Sequence, residues 1–431
     1  MERTYAKNVK PGKISVAGWV EETRKLGGLV FLKLRDMTGY IQITLPKKKV
    51  SENVFKIASS LTKESVVSVD GEAVANKEAP GGIEIIPSAI KVISTAKPLP
   101  IEFLGKVDTT FDKLLDYRPL SLRTRKNQAI FKIQSTIIHG FIEYLDKKGF
   151  LQIFTPCILG AASEGGAEVF SVDYYKKRAF LRQDPQLHRQ LAIAAGLEKI
   201  YEVGASWRAE MSHTTRHLSE HRVLAAEMAF IKDEYDVIKI EEEMVLHCLK
   251  KIKNECADEL EIFDTKIEIP DKIPVLKFPE VYDILEGMGK IVKRGEEYDT
   301  EAEELLWKWV KEKYKTDLFF VNRFPSAAKP FYVMKYDEEP EWARSVDLLY
   351  RGVELSSGGQ REHRYDKIIE QAKEKRIPLD SIKWFAEFFQ YGVPPHGGFA
   401  IGIERMTKQL LGLANIREAT MFPRDTERLL P

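Results

Sequence analysis

A chain of 431 residues exceeds one ordinary domain, so two or three domains are expected. With 44% hydrophobic and 30% charged residues it suits a globular protein with a sizeable core. No apolar run is long enough to span a bilayer and no secretory h-region stands at the N-terminus. Three cysteines at irregular spacing, Cys157, Cys248 and Cys256, give neither a disulfide framework nor a zinc pattern, so a reducing cytoplasm is the default compartment. The net charge of +1 is uneven: residues 1–100 hold 16 Lys/Arg against 10 Asp/Glu, or +6, leaving −5 for the rest. A small basic module beside a near-neutral large one points weakly to a polyanionic partner, although such asymmetries also arise by chance.

Residues 13–45 alternate apolar and polar, with Gly27-Gly28 and Thr38-Gly39 as turns. Further strand-like runs cover 65–74 and 83–94. Four or five short strands in so short a stretch predict a small barrel, with an OB-fold as the natural candidate. Phe31, Arg35 and Gln42 fall on the strands expected to form its face. Phe31 could stack a base or belong to the core, and Gln42 could read a base edge. Arg35 could hold a phosphate or brace the sheet.

Lys97 and Pro98 begin a Pro-containing segment, and residues 98–125 read as a connection. From Asn127 to Lys148, Ile130, Ile133, Ile137, Phe141 and Leu145 recur at helical spacing, and Gly149 supplies a stop. Residues 150–156 (FLQIFTP) then read as a strand ending at Pro156. SEGGAE (163–168) is a glycine-containing loop holding Glu164. Residues 179–197 run from a strand into a helix, with Asp184 placed to cap it and Gln186 and Arg189 on one helical face.

WRAEMSHTTRHLSEHRVLAAEMAF (207–230) reads as strand, charged loop, strand. Arg208 and Glu210 would share a face, and Arg216, His217 and His221 follow. Such a hairpin suits a polyphosphate, and it equally suits an ordinary solvated surface. Residues 232–320 look charge-rich and largely helical; 317–325 and 330–337 read as strands. SVDLLYRGVELSSGGQREH (345–363) reads as a strand entering a Ser/Gly-rich loop with Glu354, Ser357 and Arg361. PPHGGFAIGIERMTKQLLGL (394–413) is a Gly-rich strand leading into a helix with Arg405 near its start.

Polar residues of complementary type thus end several distant strands, and together they resemble the class II aminoacyl-tRNA synthetases, specifically the aspartyl branch of the archaeal/eukaryotic type. The resemblance runs from AGWV (17–20) to FPRDTERLLP (422–431). It rests on the helix–strand ending at Pro156, the WRAE…RHLSE hairpin, GFAIGIER (398–405), YRGVELSSGGQREH (350–363) and YGVPPHGGF (391–399). It implies an α+β architecture: an OB-fold for the anticodon at 1–97, a linker or hinge at 98–125, and a catalytic domain with an antiparallel sheet flanked by helices at 126–431. It further implies a homodimer built around Pro156, ATP and aspartate as substrates, Mg²⁺, and tRNA as partner.

Carried over by position, Arg208 steadies the α-phosphate, while Arg405 and His217 hold the outer phosphates. Glu210, Arg216 and His221 belong to the ATP site, and Glu354 and Ser357 ligate Mg²⁺. Arg361 pairs with the aspartate side chain, with Glu164, Gln186, Arg189, Asp184 and Ser357 around the amino acid. Arg24, Phe31 and Gln42 face tRNA. The block QDPQLHRQ (183–190) departs from the family's usual QSPQLYKQ, and Ala225 stands where a carboxylate is expected. Read as compensation, Asp184 supplies the charge missing at Ala225, and Arg189 replaces the Lys. Glu21 and Pro80 stand at positions linked to the choice between tRNA-Asp and tRNA-Asn and leave that choice open. The alternatives are a paralogue with altered specificity (an asparaginyl-tRNA synthetase or a tRNA-independent asparagine synthetase-like enzyme) and a catalytically silent RNA-binding protein.

Overall fold

The computed structural model describes residues 2–102, 109–160, 169–211 and 214–430. The chain divides into two compact units, Met1–Thr109 and Thr110–Pro431. The division falls inside the segment read as a connection.

The first unit is a closed barrel of five strands in the order β1-β2-β3-β5-β4. They are β1 (Gly12–Leu26), β2 (Leu29–Asp36), β3 (Gly39–Pro46), β4 (Val66–Ala75) and β5 (Ile83–Ser94), with helix α1 (Glu52–Ser60) between β3 and β4. Alternation decides the inside: Val30, Leu32 and Leu34 on β2 are buried with Ile43, Leu45, Val67, Val69 and Ile85. The β3/β5 pair is parallel and closes the barrel. This is the OB-fold expected from the sequence.

The second unit begins with the short helices α2 (Phe111–Asp116) and α3 (Arg118–Ser121) and then the long α4 (Arg125–Lys147). Part of the supposed connection is therefore structural: Arg118 is buried and donates to the carbonyls of Glu418, Thr420 and Met421, which ties down the C-terminal segment. The Thr124 side chain caps α4 by accepting from Asn127 N, and Gly149 follows its C-terminus at φ +78°. Its apolar face (Ile130, Ile133, Ile137, Phe141, Leu145) is buried.

Next come β6 (Leu151–Gln152), β7 (Ile158–Leu159), β8 (Ser171–Tyr174), β9 (Lys177–Leu181), α5 (Gln186–Ala194), β10 (Lys199–Trp207) and β11 (Glu220–Ala229). Helices α6 (Glu234–Glu255) and α7 (Ala257–Ile262), strand β12 (Val275–Lys277) and helices α8 (Phe278–Gly287) and α9 (Thr300–Tyr314) follow. The chain ends with β13 (Leu318–Pro325), β14 (Trp342–Tyr350), β15 (Val353–Arg361), α10 (Tyr365–Glu374), α11 (Leu379–Ala386), β16 (His396–Gly402) and α12 (Ile403–Leu411). Eight strands make one sheet in the order β12-β13-β14-β15-β16-β11-β10-β6. It is antiparallel except at its ends, where β12 joins β13 and β6 joins β10 in parallel. Helices α4, α6 and α12 pack with it into one apolar core, and α10 and α11 belong to a second. The α+β class is as expected.

Three local readings need correction. The glycines at 358 and 359 mark no loop but the middle of β15. A Cβ on Gly358 would lie 2.4 Å from the Gly398 carbonyl oxygen, and one on Gly359 would lie 2.2 Å from that of Arg344. Close backbone approach, not turning, demands them. Residues 330–337 form no strand, and their backbone pairs with the sheet at isolated bridges, Val333 with Arg361 and Lys335 with Ala343. In 150–156 only Leu151 and Gln152 pair.

Glu241 of α6 is buried, with the Ser356 hydroxyl of β15 donating to it. Burial pushes its carboxyl up to about 8, with the Asp347 charge adding and the Ser356 bond opposing. The folded chain thus keeps a proton that the unfolded chain releases near 4.5. Stability is full below that value and is lost as pH rises toward about 8. Glu241→Gln is expected to remove that loss. Its melting temperature should match the parent's near pH 4.5 and exceed it at about pH 8, in parallel thermal melts.

Candidate active site

Strands β11, β15 and β16 lie side by side in the sheet. Along β11, residues 221, 223, 225 and 227 share one face, because side chains alternate. His221 and Val223 line a cavity of about 270 Å³. Arg208, Glu210, Arg216, Glu354, Ser357 and Arg405 line it as well, and so do His217, Asp184, Gln186 and Arg361. Residues scattered from 184 to 405 are thus brought to one place.

Arg208 and Glu210 lie just beyond β10 rather than on it, yet still side by side, with Arg208 Nη1 3.3 Å from Glu210 Oε1. His217 accepts or donates at Thr214 Oγ1 through Nδ1 (2.5 Å), and its Nε2 is 3.7 Å from Glu210. Burial, then Arg208 and Arg405, push the His221 imidazole down to about 4, so the ring is neutral at pH 7. A neutral ring can lie flat against a base without adding charge. Arg216 reaches Glu304 of α9 at 3.4 Å.

On the far wall, Arg405 Nη1 donates to the Glu354 carboxylate (3.1 Å) and to its backbone carbonyl (3.0 Å). Three carboxylates crowd here: Glu354, Glu303 of α9 and Asp347 of β14. Burial and Glu354 raise Glu303 to about 7. Burial likewise raises Asp347, although Lys329 stands 3.3 Å away. Asp347 faces Ser357 directly across the β14/β15 ladder. Oxygen donors on adjacent strands, two carboxyls raised by burial and by the Glu354 charge, and neighbouring arginines suit Mg²⁺, which takes one or two carboxylates beside phosphate oxygens. Among the described residues no group of three or more His, Cys, Asp or Glu is placed to hold a metal ion.

At the other end of the cavity, Glu227 is fully buried. It accepts from Arg361 Nε (3.0 Å) and Gln186 Nε2 (3.0 Å). Arg361 also donates to Gln186 Oε1 (3.1 Å) and to the Gly398 carbonyl (3.1 Å). Arg189 donates from one nitrogen to Asp184 (2.6 and 2.8 Å) and to Gln186 Oε1 (2.8 Å). Asp184 does not cap α5, whose N-cap is Pro185 without a side-chain bond. The strong pull of the buried Arg189 turns its carboxylate to a pairing role instead. Arg189 itself is 1% exposed and stands behind the cavity wall rather than on it. Ala225 is buried on β11 between Val223 and Glu227. Glu164 lies outside the described residues.

Asp347, Lys329, Glu303 and Glu227 were not singled out from the sequence. Asp347 had a signal: it stands two residues after Ser345 on one strand face, in the same run as Glu354. Glu227 had one too, as a lone carboxylate within an apolar strand.

In the barrel unit, Arg24 faces Phe31 and Phe31 faces Thr44 across the ladders, while Lys33 faces Gln42 and Gln42 faces Glu84. Since Val30, Leu32 and Leu34 point inward, Arg24, Phe31 and Gln42 share the outer face. Arg35 braces the sheet: it is buried and pairs with both oxygens of Glu64 at 3.0 and 2.8 Å. Glu21 is buried, accepting from Lys33 (2.8 Å) and Arg35 (3.3 Å). Pro80 opens a short turn, Pro80–Gly82.

Comparison with known proteins agrees with this geometry. Residues 111–426 match the family model for class II tRNA synthetases (D, K and N), and residues 14–93 match that of the OB-fold nucleic acid binding domain. The chain belongs to the class II aminoacyl-tRNA synthetases, ATP-dependent ligases, with the anticodon-binding OB-fold at its N-terminus. Within that family it is 44% identical to the aspartate–tRNA(Asp) ligase of Pyrococcus horikoshii, covering 97% of this chain and 96% of the relative. It is 42% identical to the aspartate–tRNA(Asp/Asn) ligase of Methanopyrus kandleri over the whole of both chains. Asparaginyl-tRNA synthetase from P. horikoshii, solved with asparaginyl-adenylate, superposes with a TM-score of 0.94 at 34% identity over 100% of both chains. The aspartyl-tRNA synthetase of Entamoeba histolytica gives 0.91 at 29% identity, covering 100% of this chain and 93% of that one.

Removing Glu227 would leave Arg361 buried without its carboxylate. Glu227→Ala is expected to cost about 3–5 kcal/mol, read as a lowered urea midpoint at an unchanged slope.

Proposed function

We propose that the chain is an aspartate–tRNA ligase. It joins aspartate to ATP as aspartyl-adenylate, releases pyrophosphate, and esterifies the terminal ribose of tRNA-Asp. The observation that carries this reading is Arg361 at one end of the cavity and Arg208 and Arg405 toward the other. A guanidinium is suited to planar carboxylate recognition at the first and to phosphates at the others.

In this reading Arg208 holds the α-phosphate against the attacking carboxylate of aspartate. Arg405, His217 and Arg216 hold the outer phosphates. Glu210 keeps Arg208 in place, and neutral His221 lies against adenine. Glu354, Ser357 and Asp347 would hold Mg²⁺, which would neutralise phosphate charge when bound. Catalysis then rests on placement and fixed charge more than on a general base. Gln186 and Arg361 orient the amino acid. Arg24, Phe31 and Gln42 on the barrel's outer face meet the anticodon.

The homodimer is also part of this proposal. Leu151, Phe154 and Ile158, which flank Pro156, are 53%, 80% and 48% exposed, an apolar patch suited to a second copy. The expected compartment is the cytoplasm, where Cys157, Cys248 and Cys256 stay as free thiols.

ATP–pyrophosphate exchange across an amino-acid panel tests the substrate. Aspartate should drive it best. Faster exchange with asparagine would shift the assignment to an asparaginyl enzyme, and ammonia-dependent asparagine formation without tRNA to a synthetase-like paralogue. Arg208→Ala or Arg405→Ala should lower kcat by about 10²–10³-fold. Charging of tRNA-Asp and tRNA-Asn transcripts side by side reads the tRNA choice.

A further inference from the structure

Strands β8 and β9 are joined by a two-residue turn, Tyr175 and Lys176, with Tyr174 and Lys177 as the last pair of the ladder. Tyr174 is 47% exposed and Tyr175 92%. Their rings meet edge to face, with centroids 4.9 Å apart, so they brace each other while both stay in water. Lys176, Lys177 and Arg178 are exposed beside them. Asp173, which faces Arg178 across the ladder, is the one carboxylate among residues 171–181.

Tyr175 has a φ of +53°. A two-residue hairpin turn with positive φ at its first central position usually has Gly there, and a bulky residue in that region is strained. The chain thus holds an aromatic ring in solvent at the place where glycine would turn more easily. Strain of this kind gathers at functional sites. The hairpin is also rooted at the cavity. β9 runs on into Arg182, whose buried guanidinium donates to Glu202 (2.6 Å) and to the Ala205 carbonyl (2.6 Å), and then into Gln183 and Asp184 on the cavity wall. Lys177 stands six residues before Gln183. That is roughly 20 Å at about 3.3 Å per residue of strand.

Building on the tRNA-charging reaction above, we propose that this hairpin tip is a docking surface for the single-stranded 3′ end of tRNA as it enters the cavity. Tyr174 and Tyr175 stack its bases, and Lys176, Lys177 and Arg178 meet its phosphates. A single strand offers base faces and a phosphate chain together, and rings set among cations match both without reading sequence. The 3′ end has to pass the cavity rim, because its terminal ribose is the group esterified inside. Three cations in a row suit a protein partner less, since the buried centres of protein interfaces are depleted of charge.

The test uses the full chain with a tRNA-Asp transcript and with the same transcript lacking its unpaired 3′ nucleotides. Tyr175→Gly removes the ring and relaxes the turn, so its melting temperature should equal or exceed that of the wild type. Its pyrophosphate exchange with aspartate should be unchanged. Its kcat/KM for charging and its affinity for the full transcript, read by fluorescence anisotropy, should fall about tenfold or more. Tyr175→Phe should charge like the wild type. Lys176→Ala/Lys177→Ala should flatten the plot of log affinity against log salt, by about 0.7 for each lysine. The shortened transcript should bind the wild type and Tyr175→Gly alike. Equal weakening of both transcripts would overturn the proposal, and so would full charging by Tyr175→Gly. A change of oligomeric state in Tyr175→Gly, read by sedimentation, would give the tip to a second copy of the chain and overturn it too. A wild-type enzyme that puts no aspartate on tRNA would refute the functional reading instead, while binding of the two transcripts still decides the role of the tip.

Discussion

The structure of the catalytic unit depends on a carboxylate that water never reaches. Glu227 is fully buried in the middle of a sheet strand, where a lone charge would be intolerable. Its partners come from far along the chain: Arg361 closes β15, and Gln186 opens α5. The demand that this charge be met therefore fixes three segments against one another. Gly398 completes the arrangement. Its carbonyl accepts from Arg361, and a Cβ there would lie 2.4 Å from a Glu227 oxygen. A glycine, two carboxamide or carboxylate groups and one guanidinium thus share a space in which no extra methyl fits.

Around the cavity the same logic repeats at lower cost. Arg405 meets Glu354, Lys329 meets Asp347, and Arg208 meets Glu210. Each cation is held by a carboxylate, on another element for Arg405 and Lys329 and two residues along the chain for Arg208, so the donors are aimed by the protein itself. Preorganisation of this kind is what an adenylate-forming site needs, because fixed dipoles and charges require little rearrangement during reaction. The Arg405 and Arg208 pairs are only partly buried, and so contribute more to aim than to stability, whereas Lys329 and Asp347 lie largely out of water.

The barrel and the long α4 were legible in the sequence because their signals are local. Alternation marks β2, and a stripe of Ile130, Ile133, Ile137 and Phe141 marks α4. That Arg208, His217, Glu354 and Arg405 would line one cavity was legible through the order of their motifs. What escaped was set by tertiary contact. The glycines of β15 resemble loop residues until Arg344 and Gly398 are seen pressing on them. Asp184 has the look of a helix cap, but the buried Arg189 competes for it and wins. Glu227, Asp347 and Lys329 sit in runs whose neighbours are apolar. Their signal was slight, a lone charge among apolar residues, and only the packed structure shows what each one meets.

The pairing of Asp184 with Arg189 has a consequence for how such a pocket can drift over generations. The two residues lie five positions apart in one short segment, and a lone survivor of the pair would leave a charge stranded beside Glu227 and Arg361. Changing one of them alone leaves a buried charge without its partner, so the two are expected to change together, like a two-digit lock that opens only when both wheels turn. The exposed positions of α5 carry no such tie, while this corner of the pocket is held to its present combination by the cost of each single step away from it.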